Sequence, residues 1–230
     1  MVRGLFVTGT DTSVGKTVVS AALLLRYRGQ VPLRYWKPIQ TGVEQDDDTA
    51  EVVRLATCGR DDVMETGVGL RRPLSPHLAA RLSGVTIETP PLVDIATRSA
   101  QALIVEGAGG ALVPINETAL MADLMLSLGL PAVVVARSSL GTINHTLLTL
   151  EALRRRSIGI AGVVMVGVPD ADNREAIERY GCVAVLGEMP FFEPLTPDAL
   201  AAWAAEGLDR DGRLHGMLER RQEDVRKMTQ

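Results

Sequence analysis

Cysteine is nearly missing from this chain: Cys58 and Cys182 are the only two. Two thiols cannot make a disulfide framework, nor a metal site by themselves, and both read as small core or surface residues. No apolar run approaches the ~18 residues of a membrane-spanning helix. The first residues, Met1 to Thr8, lack a charged start, an apolar stretch and a small-residue cleavage site, which predicts a cytoplasmic protein. Excess positive charge is missing too. The formal net charge is −4, which disfavours a nucleic-acid partner held on a basic face. Internal repeats and linkers rich in Pro, Gly or Ser are absent. Lysine is almost absent, with Lys16, Lys37 and Lys227 against 21 arginines. A lysine kept in such a chain points to a site that needs a compact ammonium rather than a planar guanidinium.

What remains is 230 residues, 46% of them hydrophobic. That amount predicts one large domain over 1–230, with a charged helical tail at about 210–230 that is solvated or packed rather than functional. Short apolar, β-branched runs alternate with helical patterns. Strands are expected at Gly4–Thr8, Val31–Trp36, Leu103–Val105, Ala132–Ala136, Ile160–Val166 and Val183–Leu186. Helices are expected at Lys16–Tyr27, after the acidic run Asp46–Asp48, from Pro90 to about Ala100, and at Thr142–Arg156. Strands that are apolar throughout, rather than at alternate positions, need cover on both faces. The fold class is therefore α/β: a doubly wound, mostly parallel sheet with helices on both faces. Ligands in such folds collect beyond the carboxyl ends of the strands.

Gly9-Thr-Asp-Thr-Ser-Val-Gly-Lys-Thr17 joins the first strand to the first helix, the context a phosphate-binding loop requires. Backbone N–H groups and the helix N-terminus would cradle phosphate oxygens. Lys16 would reach the β- and γ-phosphates, and the Thr17 hydroxyl would ligate Mg²⁺. The usual spacing places the first glycine at position 10, where this chain has Thr10; its glycine is Gly9. Glu106 ends an apolar strand and precedes Gly-Ala-Gly-Gly, which makes it a candidate metal carboxylate. The run Asp46–Asp48 reads by itself as a solvated face.

Taken together, Gly9–Thr17, Lys37-Pro-Ile-Gln-Thr-Gly42, Ser75-Pro-His77, Val105-Glu-Gly-Ala-Gly-Gly110, Leu140-Gly-Thr-Ile-Asn-His145 and Gly187-Glu-Met-Pro190 resemble the dethiobiotin synthetases. The motifs fall in order across about residues 4–190. The resemblance implies an ATP-dependent ligase that works on 7,8-diaminopelargonate and CO₂ or bicarbonate, through a carbamate and a carbamic–phosphoric anhydride. It implies a nucleotide along Asp11, Thr12, Ser13, Val14, Gly15, Lys16, Thr17 and Val18, with Glu106, Val166, Glu188 and Pro190 beyond. Lys16 and Lys37 would be catalytic. Mg²⁺ would be held by Thr17, Asp48 and Glu106, with Asp47 as the alternative to Asp48. The diamine and carbamate would meet Thr12, Lys37 and Thr41. The substrate carboxylate would meet Gly141, Thr142, Ile143 and Asn144, a segment the family takes from the second subunit of a homodimer. Two positions depart from the family: Ser13 stands where many members carry Glu, and Val166 where an Asn often reads adenine. Two rivals are a partner-regulated P-loop ATPase and a non-catalytic nucleotide-binding domain. The first would want a second lysine early in the loop, where this chain has Asp11. Diamine-dependent phosphate release separates all three.

Overall fold

Leu5 and Val7 face one side of the first strand and Phe6 the other, and all three are completely buried. A strand without polar alternates has to be covered twice, and the computed structural model, which describes residues 2–219, covers every central strand that way. In chain order the strands are β1 (Gly4–Gly9), β2 (Leu33–Trp36), β3 (Ile39–Thr41), β4 (Val63–Met64), β5 (Val68–Leu70), β6 (Ala102–Gly110), β7 (Ala132–Arg137), β8 (Ile160–Val166) and β9 (Val185–Met189). The helices are α1 (Lys16–Tyr27), α2 (Asp48–Ala56), α3 (Pro76–Leu82), α4 (Thr89–Thr97), α5 (Met121–Leu128), α6 (Thr142–Arg154), α7 (Ala171–Gly181), α8 (Pro197–Glu206) and α9 (Arg213–Glu219).

Seven strands form one sheet in the order β4-β2-β6-β1-β7-β8-β9, with every neighbouring pair parallel. One face packs against α1, α2, α8 and α9, the other against α3 to α7. The doubly wound expectation is met. β1 lies between β6 and β7, where the chain switches direction across the sheet, so its carboxyl end opens at the switch point.

Boundaries moved for identifiable reasons. β2 starts at Leu33 because the Pro32 carbonyl accepts from Ala102 N while Pro32 has no N–H of its own. The last strand runs from Val185 to Met189 rather than from Val183 to Leu186. Gly187 lets it pass under α8, since a Cβ there would stand 2.7 Å from the Gly207 carbonyl oxygen. β3 and β5 form a separate parallel pair of three residues each, too short to signal in the sequence. Part of the expected tail, Arg213 to Glu219, is the helix α9. Leu214 and Leu218 are fully buried, and Asp209 caps α9 by accepting from Arg213 N and Leu214 N. The Tyr27 hydroxyl also donates to Asp209, tying α9 to α1. Residues 220–230 of the expected tail lie outside the described residues. Among the described residues no helix is long and apolar enough to cross a membrane.

Candidate active site

The loop after β1 explains the displaced glycine. Thr10 still bonds to the sheet, its N–H donating to the Val135 carbonyl. A Cβ on Gly9 would stand 2.8 Å from both Val14 Cγ2 and Asp11 O, so the glycine is needed there and not at position 10. Gly15 caps α1 at φ 98°, a left-handed conformation natural only to glycine. No side chain caps the helix and its first turn has no acid. Its first N–H groups and the positive end of its dipole therefore face the loop free, as an anion site requires. Arg137, at the end of β7, braces the loop by donating to Thr12 O at 3.2 Å.

Four elements bring their side chains to one point beside this loop. Thr17 Oγ1 lies 2.7 Å from Asp48 Oδ1 and 3.0 Å from Glu106 Oε1. Lys37 Nζ lies 2.7 Å from Asp48 Oδ2 and 2.7 Å from Glu106 Oε1, and it also donates to Gly107 O. The Tyr35 hydroxyl donates to Glu106 Oε2 at 3.0 Å. Lys16 Nζ donates to Asp11 O at 3.2 Å. Glu106 is completely buried and sits in mid-strand, not at the strand end expected. The strand continues past Phe6 because residue 107 is glycine; a Cβ on Gly107 would meet the Phe6 ring at 2.9 Å. The acidic run divides its work. Asp47 is the N-cap of α2, accepting from Ala50 N and Gln40 Nε2, while Asp48 turns to Lys37 and Thr17.

Burial works to lower the Lys37 ammonium, but Glu106 and Asp48 outweigh it and hold it above the usual lysine value. Burial would raise Asp48; Lys37 outweighs that and holds the carboxyl below its ordinary range. Lys16 is lowered, first by burial and then by repulsion from Lys37. Burial, then the Glu106 and Asp48 charges, push the Tyr35 phenol well up, so its hydroxyl stays a donor. Among the described residues there is no group of three or more His, Cys, Asp or Glu that could hold a metal. The oxygen set is two carboxylates and a hydroxyl, which suits a hard cation completed by phosphate oxygens and water.

A cleft of about 410 Å³ collects most of the expected residues: Thr12, Ser13, Gly15, Lys16, Thr17, Val18, Lys37, Thr41, Asp48 and Glu106. Asp11 and Val14 turn to the far side of the loop, where they line a small hollow with Thr142. Gly141, Ile143 and Asn144, at the start of α6, do not line the cleft. Val166 lies behind the loop, its Cγ1 3.2 Å from the position a Cβ on Gly15 would take. Glu188 and Pro190 line a separate hollow along β9. The Glu188 carboxylate accepts there from Asp170 N and Arg174. Sequence reasoning missed Tyr35 and Arg137. Tyr35 lies in β2, two residues before Lys37, and its partner Glu106 is on the neighbouring strand β6.

Comparison with known proteins adds the following. A family model described as an AAA domain matches residues 3–199. The ATP-dependent dethiobiotin synthetase of Paramagnetospirillum magneticum is 53% identical over 86% of this chain and 93% of its own length. That of Nitrobacter hamburgensis is 44% identical over 91% of this chain and 96% of its own. A solved ParA family ATPase from Chlorobium tepidum superposes with a TM-score of 0.55 at 11% identity, covering 88% of this chain and 98% of that one, which is a likeness of fold alone.

Proposed function

The chain belongs to the dethiobiotin synthetase family, and from that premise we propose how its cleft carries out the reaction. The enzyme is an ATP-dependent ligase of biotin synthesis that converts 7,8-diaminopelargonate to dethiobiotin. One amine takes up CO₂ to give a carbamate and a proton. A carbamate oxygen attacks the γ-phosphorus, and ADP leaves. The second amine attacks the carbonyl carbon of the mixed anhydride, phosphate leaves, and the five-membered urea closes. A carbamate is a poor electrophile because its oxygen leaves badly. Phosphorylation supplies the leaving group, and phosphoryl transfer asks the protein mainly for position and charge.

The observation that carries this reading is the convergence of Lys16, Thr17, Lys37, Asp48 and Glu106 in one cleft at the end of β1. The loop N–H groups and Lys16 hold the phosphates. Thr17, Asp48 and Glu106 hold Mg²⁺, which, when bound, offsets charge on the phosphate oxygens. Asp47 is committed to capping α2, which supports Asp48 as the acid of this set. Lys37 stands between the carboxylates and the cleft and meets the charge that builds between the carbamate oxygen and the γ-phosphate. Thr12 and Thr41 line the same cleft and meet the diamine end. The start of α6 carries an uncapped N-terminus with no acid in its first turn, suited to a carboxylate. It lies away from this chain's own cleft, which supports its delivery to the cleft of a second copy in a homodimer. The test combines purified protein, 7,8-diaminopelargonate, bicarbonate and MgATP, with mass spectrometry for the ureido product and an assay of phosphate release. Product formation with diamine-dependent release is expected. Release that ignores the diamine would favour the partner-regulated ATPase instead.

A further inference from the structure

Tyr35 belongs to no motif of the chain, yet it is fully buried and its hydroxyl is the hydrogen-bond donor to Glu106 Oε2. The two oxygens of Glu106 therefore have different duties. Oε1 faces Thr17 and Lys37, while Oε2 is tied, 3.0 Å away, to a phenol on the neighbouring strand. β2 and β6 are in register as parallel neighbours, with Tyr35 paired to Ile104, so the tie is anchored in the sheet itself. An untied carboxylate turns freely about its last torsion and can offer a cation both oxygens. A phenol on Oε2 fixes the plane of the carboxylate, so that Oε1, on the side of Thr17 and Lys37 that lines the cleft, is the oxygen aimed at a cation. Ca²⁺ gathers six to eight oxygens and often takes a carboxylate through both; Mg²⁺ and Mn²⁺ take octahedral sets with one oxygen from each.

We propose that Tyr35 is a positioning residue that fixes Glu106 as a one-oxygen ligand and so makes the site select small octahedral cations against Ca²⁺. The proposal rests on the reading of Glu106 as a metal carboxylate. Tyr35 touches neither substrate nor nucleotide in this account and acts only through Glu106.

The test needs no turnover. Mn²⁺ binding to the enzyme in the presence of ADP is followed by electron paramagnetic resonance, and Ca²⁺ is then titrated in as competitor. In Tyr35→Phe, Mn²⁺ affinity is expected to fall by roughly tenfold, the usual scale for losing a partner of a metal ligand. The preference for Mn²⁺ over Ca²⁺ is expected to fall by about as much, because Oε2 becomes free to join Oε1 on the larger ion. A loss of packing alone would leave that ratio unmoved. Tyr35→Met, which fills the space without a donor, serves if the Phe variant does not fold, and the same fall in ratio is expected. Glu106→Gln separates the proposal from its premise. If Glu106→Gln leaves Mn²⁺ binding unchanged, Glu106 is not a metal ligand and both fall. If Glu106→Gln weakens Mn²⁺ while the Tyr35 variants keep the wild-type ratio, the role of Tyr35 alone is overturned.

Discussion

Lys16 and Lys37 share a cleft but sit in opposite electrostatic circumstances, and their substitutions should differ accordingly. Lys16 is lowered, first by burial and then by Lys37, so the fold disfavours its charge where it favours that of Lys37. Lys16→Ala is expected to cost on the order of 3 kcal/mol in the transition state, a hundredfold or more in rate. Turnover within about threefold of wild type would overturn its phosphate-binding role. Lys37 is held charged by Glu106 and Asp48, the carboxylates 2.7 Å from its ammonium. A charge matched to a developing dianion acts mostly in the transition state. Lys37→Gln should therefore lower kcat strongly while MgATP binding stays within about tenfold; an unchanged kcat would make Lys37 a structural cation only. Most of these residues were legible in the sequence because the phosphate loop is one continuous segment and its strand-turn-helix context is local. Tyr35 and Arg137 were not singled out, because each matters only through a residue far away in the chain: 71 positions on for Tyr35 and 125 back for Arg137. The Asp47 and Asp48 alternative was likewise beyond the sequence, since only the start of α2 decides which of two adjacent acids becomes the cap.

At the scale of elements, the end of β8 and the start of α7 bear on which nucleotide is used. Val166 ends β8 with its side chain against Gly15. Asn173, seven residues on, was the nearest amide that could have taken over base recognition. Its side-chain nitrogen instead donates to Ser138 O and to Asp170 Oδ2, both at 2.9 Å, clamping the loop after β7 onto α7. The Glu188 carboxylate is committed to Asp170 N and Arg174. Strong base discrimination needs buried polar groups left unpaired by the wrong base, and these side chains already have partners. ATP, CTP and GTP should therefore differ by less than about a hundredfold in kcat/KM, measured at saturating diamine, bicarbonate and Mg²⁺. A preference for ATP above about a thousandfold would show that some other group reads the base. Elements of this core were largely legible, because continuous apolar strands and the apolar run of α1 are dictated by burial on both faces of the sheet. The β3 and β5 pair was not, since three residues carry no period. The continuation of β6 past Glu106 was hidden as well, because glycines that end a strand and glycines that let one pass a phenylalanine ring look alike in a sequence.

For the molecule as a whole, the buried charges of the cleft tie stability to pH. The folded Asp48 carboxyl is held below its ordinary value, so its contribution is present above about pH 3.9, the unfolded value, and is lost as pH falls through the lower folded one. Lys37 is held above its ordinary value, so its contribution is present below about pH 10.4 and is lost as pH rises through the higher folded one. Lys16, being lowered, works with the opposite sign at the alkaline end, so the acid limb is the clean test. The melting temperatures of wild type and Asp48→Asn should converge as pH is lowered through the carboxylate range. A gap that stays constant to strong acid would mean that the Asp48 charge does not stabilise the fold. The sheet order has a consequence in time as well. β1 pairs through Gly4 to Val7 with residues 103–106, and through Phe6 to Gly9 with residues 132–135. A ribosome thus makes the phosphate loop well before either wall of its cradle: β6 follows at residues 102–110 and β7 only at 132–137. Pairings this distant are slow to close and leave an apolar strand uncovered meanwhile. The phosphate loop therefore waits on both flanking strands, and ATP can only lock a sheet whose centre has already formed.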